Sequence, residues 1–184
     1  MKDISYHILD IVQNSLHAGA DKIVIEMTED TKAGTLKLTI ADNGSGMDRR
    51  MVDHATDPFF TSSATKKVGL GLPLLKQNAE QTGGVFEVSS ELNKGTVVTA
   101  VFNTHNIDMI PEGDLALTMR MLIASEPLKD FIYRQERDGE EFELNTANMR
   151  EELGNIDLSR REVLEFITGF IRSGVRVLHE KRLA

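Results

Sequence analysis

Apolar and polar residues alternate with a regular period through most of residues 4–102. At the start of the chain, the apolar positions follow the three-and-four spacing of an amphipathic helix: Ile4, Ile8, Ile11, Val12 and Leu16. This spacing predicts a first helix over residues 4–17. Gly19 follows directly and suits the left-handed conformation in which many helices end.

Strand patterns dominate the stretch that follows. Residues 22–27 are rich in β-branched side chains, and residues 35–41 alternate strictly between apolar and polar positions. Residues 85–91 and 96–102 predict two more strands, joined by a tight turn at residues 92–95. These four segments predict most of a sheet.

Between the second and third strands lies a long irregular stretch and then a helix. Residues 44–68 show little periodicity, and loops of this length inside a compact domain are usually functional, often as lids. The helix begins around residues 69–71 and continues to about Gln81. Pro73 fits there because it falls in the first turn.

The pattern changes after Asn103. Residues 106–113 resemble a linker, and Asp114 can cap a helix that ends before Pro127. Asp138-Gly139 is a strong hairpin signal between strands 131–137 and 140–144.

The last predicted helix begins at Ser159-Arg160-Arg161-Glu162, which has the pattern of a capping box. Its apolar residues are all expected to face inward: Val163, Phe166, Ile167, Phe170 and Ile171. Gly169 and Gly174 lower the helix propensity of this segment.

Composition narrows the class of protein. The 184 residues carry a net charge of −8 with no basic block, which disfavours nucleic acid or an anionic membrane surface as a partner. There is no cysteine, so disulfides and thiolate metal sites are excluded. The first residues contain no apolar signal-peptide region and no run is long enough to span a bilayer, so we expect a cytoplasmic location.

Candidate chemistry lies on the first helix and in the loop after the second strand. Asp10, Asn14 and His17 are spaced by four and three residues, which places them on one helical face. Asp42-Asn43-Gly44-Ser45-Gly46-Met47 directly follows an alternating strand. A carboxylate, an amide and an imidazole facing a D-x-G-x-G loop predict a pocket for a magnesium nucleotide.

The triphosphate end of such a ligand needs oxygen ligands for Mg²⁺ and close backbone N–H donors for its phosphates. Asn14 can supply one amide oxygen, and Gly69 and Gly71 open a helix whose backbone can approach closely. Asp10, one turn before Asn14, is the nearby carboxylate that could orient a nucleophile as a general base.

The adenine end needs an acceptor for its amino group. Asp42 stands at the end of a strand and can serve, while Gly44 and Gly46 let the backbone pass under the base. An ordinary alternative stays open, in which Asn14 is a surface amide and Asp42 forms an Asx turn.

Five motifs in a fixed order resemble those of the GHKL superfamily, which includes gyrase-type topoisomerases, heat-shock chaperones, histidine kinases and mismatch-repair ATPases. The matching segments are residues 10–20 for the N-box, 42–47 and 69–72 for the glycine boxes, 57–61 for the F-box of histidine kinases, and 94–96 for the last box. Each motif is weak alone, but their order and spacing agree over residues 4–102.

The resemblance implies an α/β sandwich of the α+β class, the Bergerat ATP-binding fold, with a mixed sheet and helices on one face. It implies a Mg-ATP-binding domain over residues 1–104 and a helical or α+β appendage over residues 105–184. It also implies Asn14 as the Mg²⁺ ligand and Asp10 as the acidic base, although most hydrolysing relatives carry glutamate there.

By the same resemblance, Thr96 assists Asp42 near the base, and the remaining nucleotide contacts come from the two glycine boxes, the N-box and the F-box. The residues implied to contact the nucleotide are Asn14, His17, Asp42, Gly44, Gly46, Met47, Phe59, Lys67, Gly69, Leu70, Gly71, Leu72 and Thr96.

His17 and the Phe59-Phe60 pair favour the kinase-like branch of the superfamily, whereas the run Asn-Ser-Leu-His-Ala-Gly-Ala is similar to mismatch-repair proteins. Several roles stay open. Asp10 could be a structural or Mg²⁺-shell carboxylate, His17 a solvated helix end, the phenylalanines lid packing, and Lys67 an outward residue where kinases often have glycine.

The resulting hypothesis is a stand-alone kinase-like GHKL protein, of two-component or anti-sigma type, that phosphorylates or binds a partner protein in trans and closes a lid over residues 56–68. A conformational ATPase and a non-catalytic nucleotide sensor are the alternatives, and a homodimer is possible. The N-box begins so early that we expect no phosphoacceptor hairpin before it. His179 lies in a faint acceptor-like sequence, for which a basic exposed helix end is the favoured explanation.

Overall fold

A computed structural model describes residues 3–57, 70–154 and 156–180. Twelve helices and strands are formed by these residues: α1 (Ile4–His17), β1 (Lys22–Asp30), β2 (Thr35–Asp42), α2 (Arg49–His54), α3 (Gly71–Gln81), β3 (Val85–Glu91), β4 (Gly95–Asn103), α4 (Leu115–Ser125), β5 (Asp130–Arg137), β6 (Glu140–Asn145), α5 (Thr146–Glu152) and α6 (Arg161–Glu180).

The elements predicted from periodicity are present, with ends that differ by a few residues. β1 extends to Asp30, beyond the predicted end at residue 27. Two short helices were not predicted, because each is too short to show a period. Their first turns are capped by side chains: Asp48 accepts from Met51 N at the start of α2, and Asn145 accepts from Ala147 N at the start of α5.

The six strands form one sheet in the order β3-β4-β2-β1-β5-β6. β1 and β5 run parallel, and every other neighbouring pair is antiparallel, so the sheet is mixed as predicted. Residues after 104 supply β5 and β6, which means that the sheet continues across the linker. The division at residue 104 stays a prediction about separate folding units.

The core lies between one face of this sheet and the layer of α1, α3, α4 and α6. A cross-strand row of Tyr133, Ile25, Ile40 and Val98 shows the pattern, because all four side chains are buried and face the helices. The alternate positions face the other side and are mostly half-exposed, as on β1 and β2. This burial pattern confirms a sheet covered by helices on one face.

Two expectations about α6 are wrong. Phe166 is 62% exposed and Phe170 is 43% exposed, whereas Val163, Ile167 and Ile171 are buried as predicted. The two phenylalanines lie on the flank of the apolar stripe, since successive helical residues turn by about 100°.

The capping box at the start of α6 also does not form. The Ser159 hydroxyl donates to Asp157 Oδ1, and the first helical hydrogen bond runs from Leu164 N to the Arg160 carbonyl. Arg160 is therefore the capping position, and Ser159 stabilises the turn before it.

Candidate functional site

Asp42 lies at the end of β2 with its side chain on the helix-covered face. The Ser15 hydroxyl on α1 donates to Asp42 Oδ2 at 2.6 Å, and Gly44 N donates to Asp42 Oδ1 at 2.9 Å. Both carboxylate oxygens are therefore held in place, one by the helix and one by the loop. Each oxygen keeps a lone pair that can accept from a ligand.

Thr96 stands directly beside Asp42 in the β2–β4 register, and Ser90 stands beside Thr96 in the β3–β4 register. The Ser90 hydroxyl lies 2.9 Å from Thr96 Oγ1 and donates to the Gly95 carbonyl at 2.8 Å. It also accepts from Met47 N at 2.8 Å, which ties the D-x-G-x-G loop to the edge of the sheet.

Sequence reasoning missed Ser15 and Ser90. Ser15 lies inside the N-box beside Asn14, and its burial was visible in the helical period. Ser90 could have been found from the tight turn between β3 and β4, because that turn fixes which residue faces Thr96.

The glycines of this region are packed against backbone from other segments. Gly46 has φ +63°, and a side chain there would overlap the Glu91 carbonyl. Gly95, with φ +110°, lies equally close to the Asp42 carbonyl. The contact of Gly44 and Gly46 with a base stays a prediction, but their need for close backbone approach is visible in the fold.

Asp10 reaches the beginning of α3. Its carboxylate Oδ2 occupies the space into which a side chain at Gly71 would project. A carboxylate at a helix N-terminus is favoured by the exposed N–H groups and by the helix dipole. The structure thus brings together the predicted base and one predicted phosphate contact.

Asn14 and His17 are exposed on α1, on the side where Asp10 also emerges. The Asn14 side chain makes no hydrogen bond to the residues that the structure describes, so its amide oxygen is accessible to a ligand. Leu70 is 47% exposed just before α3, and Leu72 is half-buried. Phe59, Lys67 and Gly69, with residues 58–68 of the expected lid, lie outside the described residues.

His7, about one helical turn before Asp10 on α1, also contacts α3. Its Nε2 lies 2.7 Å from Asn78 Nδ2, and its ring is completely buried. Burial lowers the pKa of His7 from 6.5 to about 4, since the charged imidazolium would lose its hydration. Neutral His7 and Asn78 therefore join α1 to α3, the two helices that carry Asp10 and Gly71.

The donor set fits a magnesium ion held mainly by its nucleotide. Among the described residues, no three histidine or carboxylate side chains converge into a metal site. Mg²⁺ commonly takes one or two protein oxygens together with phosphate oxygens and water. Asn14, with Asp10 one helical turn away, offers that arrangement.

The same described part of the chain holds no helix that combines the length and the apolarity needed to cross a bilayer.

The sequence model of the histidine kinase-, DNA gyrase B- and HSP90-like ATPase family matches residues 2–106. Sensor histidine kinase ZraS from Escherichia coli K12 is 30% identical over 92 residues, which cover 50% of this chain and 20% of the relative. Sporulation kinase D from Bacillus subtilis strain 168 is 35% identical over 94 residues, covering 50% and 18%. The chain therefore spans about a fifth of the length of these curated relatives.

Among solved structures, the N-terminal domain of a DNA repair protein aligns with a TM-score of 0.53 at 15% identity, over 79% of this chain and 53% of that one. At this identity the similarity shows a shared fold alone. Together with the match over more than half of the chain, the five ordered motifs and the mixed sheet lead to one conclusion: the chain belongs to the histidine kinase-, DNA gyrase B- and HSP90-like ATPase family and contains its ATP-binding domain.

Proposed function

We propose that this protein binds Mg-ATP where α1, the end of β2 and the start of α3 meet, and that it acts as a kinase-like regulator on a partner protein. The observation that carries the proposal is the fixed carboxylate of Asp42, which Ser15 and Gly44 hold from two sides. A preoriented acceptor of this kind suits the adenine amino group, because little reorganisation is needed on binding.

The triphosphate would extend from Asp42 along the exposed side of α1 towards α3. Asn14 would hold Mg²⁺, which when bound neutralises the charge of the phosphate oxygens. Gly71 and the first turn of α3 would donate backbone N–H groups to the phosphates, because this turn has no side-chain cap at Leu70.

Asp10 would accept a proton from, or orient, the attacking group. Its carboxylate lies against Gly71, at the end of the site where the terminal phosphate is expected. Phosphoryl transfer depends mainly on positioning and charge neutralisation, so a side chain shorter than glutamate can serve if it is held correctly.

Kinase-like action is favoured by the resemblance of His17 to the kinase-like branch and by the two kinase relatives. The whole activity of those relatives is not carried over, since the match covers about a fifth of each. A partner in trans, a possible homodimer and a cytoplasmic location are parts of the proposal. A nucleotide-sensing module is the second candidate, favoured by aspartate at the base position.

The test is to follow γ-phosphate release and protein labelling from labelled Mg-ATP for the wild type and for Asp10→Asn. We expect the variant to bind Mg-ATP within about threefold of the wild type but to lose at least about a hundredfold of turnover, since the base is removed. Asp53→Asn, on exposed α2, is the control and should behave as wild type.

Binding with no turnover by the wild type, alone or with candidate partners, would support the sensor instead. Equal turnover by the wild type and Asp10→Asn would remove Asp10 from the mechanism.

A further inference from the structure

Within the described part of the chain, the sheet has an unpaired edge at β6, away from the proposed nucleotide site. Among the described residues, β6 pairs with β5 and with no other strand. The two strands are joined by Asp138 and Gly139, which both have positive φ, as a two-residue hairpin requires. In such a hairpin Arg137 and Glu140 form a hydrogen-bonded pair, so the N–H and C=O groups of Glu141 and Glu143 point outward.

An aromatic surface borders this edge on the helix side. Phe166 and Phe170 stack on α6 with ring centroids 6.2 Å apart, and Phe170 lies 5.1 Å from the ring of Phe142 on β6. Val177, 46% exposed, continues the row along the helix. Exposed aromatic side chains in contact with each other are typical of interaction sites rather than of a solvated helix face.

Negative charge borders the same edge on the other face. Glu141 stands directly opposite Glu136 in the antiparallel register, and neither has an ion pair among the described residues. Like charges in this position repel each other. The neighbouring Glu143 shares the single guanidinium of Arg134 with Glu26. Counting only residues that the structure describes, carboxylates therefore outnumber cations on this part of the sheet.

We infer that this surface, formed by Glu141, Phe142, Glu143, Phe166 and Phe170 and here called the β6 edge surface, binds an extended segment of a partner protein as a seventh strand. The side chains of a strand alternate between the two faces. The segment should therefore alternate apolar residues, which pack on the phenylalanines, with basic residues, which lie beside Glu141 and Glu143.

A second copy of this chain is a poor occupant. Symmetric pairing of two β6 strands would place Glu141 and Glu143 of one copy beside the same carboxylates of the other, which is unfavourable. A basic segment instead relieves the repulsion between Glu136 and Glu141. Since this edge lies across the sheet from Asp42, the inference does not depend on the proposed nucleotide function.

The probe is a short, capped, fluorescein-labelled peptide that alternates valine and lysine, with binding followed by fluorescence anisotropy on the full chain. A valine–glutamate peptide of the same length and a valine–lysine peptide with the two residue types in separate blocks are the controls. We expect the alternating basic peptide to bind at least about tenfold more tightly than either control. The inference would be overturned if the alternating basic peptide did not bind at its highest soluble concentration. It would also be overturned if the peptide with separate valine and lysine blocks bound equally well.

Two variants test the surface itself. Glu141→Lys and Phe166→Ser should each weaken binding by about tenfold. Their matched controls are Glu87→Lys, at an exposed position on β3, and Leu128→Ser, at a residue that is 87% exposed and lies outside this surface. Both controls should bind the peptide within about twofold of the wild type. Glu141→Lys removes the repulsion between Glu141 and Glu136, so the midpoint of thermal unfolding of this variant should not fall. Because the variant should fold, unchanged peptide affinity would contradict the proposed binding site.

Strand addition is tested by peptides N-methylated at alternate residues. Only the methylation pattern that blocks the N–H groups facing β6 should abolish binding, and hydrogen exchange should slow at the amides of Glu141 and Glu143. Equal binding of both methylated peptides would show that no strand is added, and would overturn the inference.

Discussion

Gly46 is where the loop after β2 touches the turn between β3 and β4. Its positive φ and its closeness to the Glu91 carbonyl leave no space for a side chain. Both neighbours of Gly46 form hydrogen bonds across the same contact. Met47 N donates to the Ser90 hydroxyl, and the Ser45 carbonyl accepts from Asn93 N at 2.6 Å. This glycine therefore keeps the predicted adenine loop against the sheet.

Gly46→Ala should lower the free energy of unfolding by at least about 3 kcal/mol, since it combines left-handed strain with a backbone overlap. Gly83 is the matched control, with φ +82° and open space around it, and Gly83→Ala should cost only about 1 kcal/mol. Urea unfolding of both variants measures the difference. Equal losses would show that the contact with Glu91 contributes nothing.

His7 gives the contact between α1 and α3 a pH dependence. Because its folded pKa is lowered from 6.5 to about 4, the unfolded chain takes up the proton first on acidification. The stabilisation is complete above the unfolded pKa and is lost as the pH falls towards about 4.

Between pH 7 and pH 5, we expect His7 to account for a loss of about 2 kcal/mol in unfolding free energy. The His7→Gln variant should lack this component, while a variant at exposed His105, His105→Gln, should keep it. Chemical unfolding at pH 7 and at pH 5 measures the loss of unfolding free energy in each protein. Parallel pH curves for the wild type and His7→Gln would contradict the lowered pKa.

For individual residues, the sequence predicted neighbours correctly where their spacing along a helix decides which side chains lie together. The helical period predicted that Asp10 and Asn14 lie on one side of α1. In the structure, both side chains emerge on the same side of this helix. The hydrogen bonds of the Ser15 and Ser90 hydroxyls were not predicted, because they depend on how α1 docks on the sheet and on how the loop after β2 meets β3. Phe59, Lys67 and Gly69 stay predictions.

Helix α6 shows how propensity and packing can disagree within one element. Gly174 lowers helix propensity, yet the ring of Phe142 on β6 occupies the space beside it. Gly169 has open space around it, so there the propensity cost stands alone. One glycine allows the helix to dock on the sheet edge, and the other does not contribute to packing.

Alanine at the two positions should therefore act with opposite signs. Gly174→Ala should destabilise the protein by about 1–3 kcal/mol through overlap with Phe142, whereas Gly169→Ala should stabilise it by up to about 1 kcal/mol. Thermal unfolding of the two variants is the measurement. Stabilisation by Gly174→Ala would mean that Phe142 does not pack against this helix.

The same helix shows the limit of periodicity as a guide to burial. The spacing predicted the helix itself and its central stripe, Val163, Ile167 and Ile171. It could not separate the centre of the stripe from its flank, where Phe166 and Phe170 are exposed. That distinction depends on how wide the neighbouring layer is, which is a tertiary property.

In the whole molecule, one sheet joins residues 2–106, which match the ATPase family, to the C-terminal residues that form β5 and β6. The full length of β5 pairs with β1, from Asp130 with Lys22 to Arg137 with Glu29. The Asp138-Gly139 turn signal predicted the hairpin of residues 131–144. Its place beside β1 could not be predicted locally, because parallel pairing joins segments far apart in sequence.

This continuity predicts a single cooperative unfolding transition for the whole chain. Calorimetric and van't Hoff enthalpies should agree, and far- and near-ultraviolet circular dichroism should change together. Two separated transitions would instead support independent units divided at residue 104.

In the proposed site, Asp42 binds the base and Asn14 binds the magnesium ion of one nucleotide. The most direct test is calorimetric titration of the wild type, Asp42→Asn and Asn14→Ala with ATP, with and without Mg²⁺. We expect Asp42→Asn to lose at least about tenfold in affinity under both conditions, and Asn14→Ala to lose a similar factor only when Mg²⁺ is present. No ATP binding by the wild type, or wild-type affinity in both variants, would contradict the roles of Asp42 and Asn14.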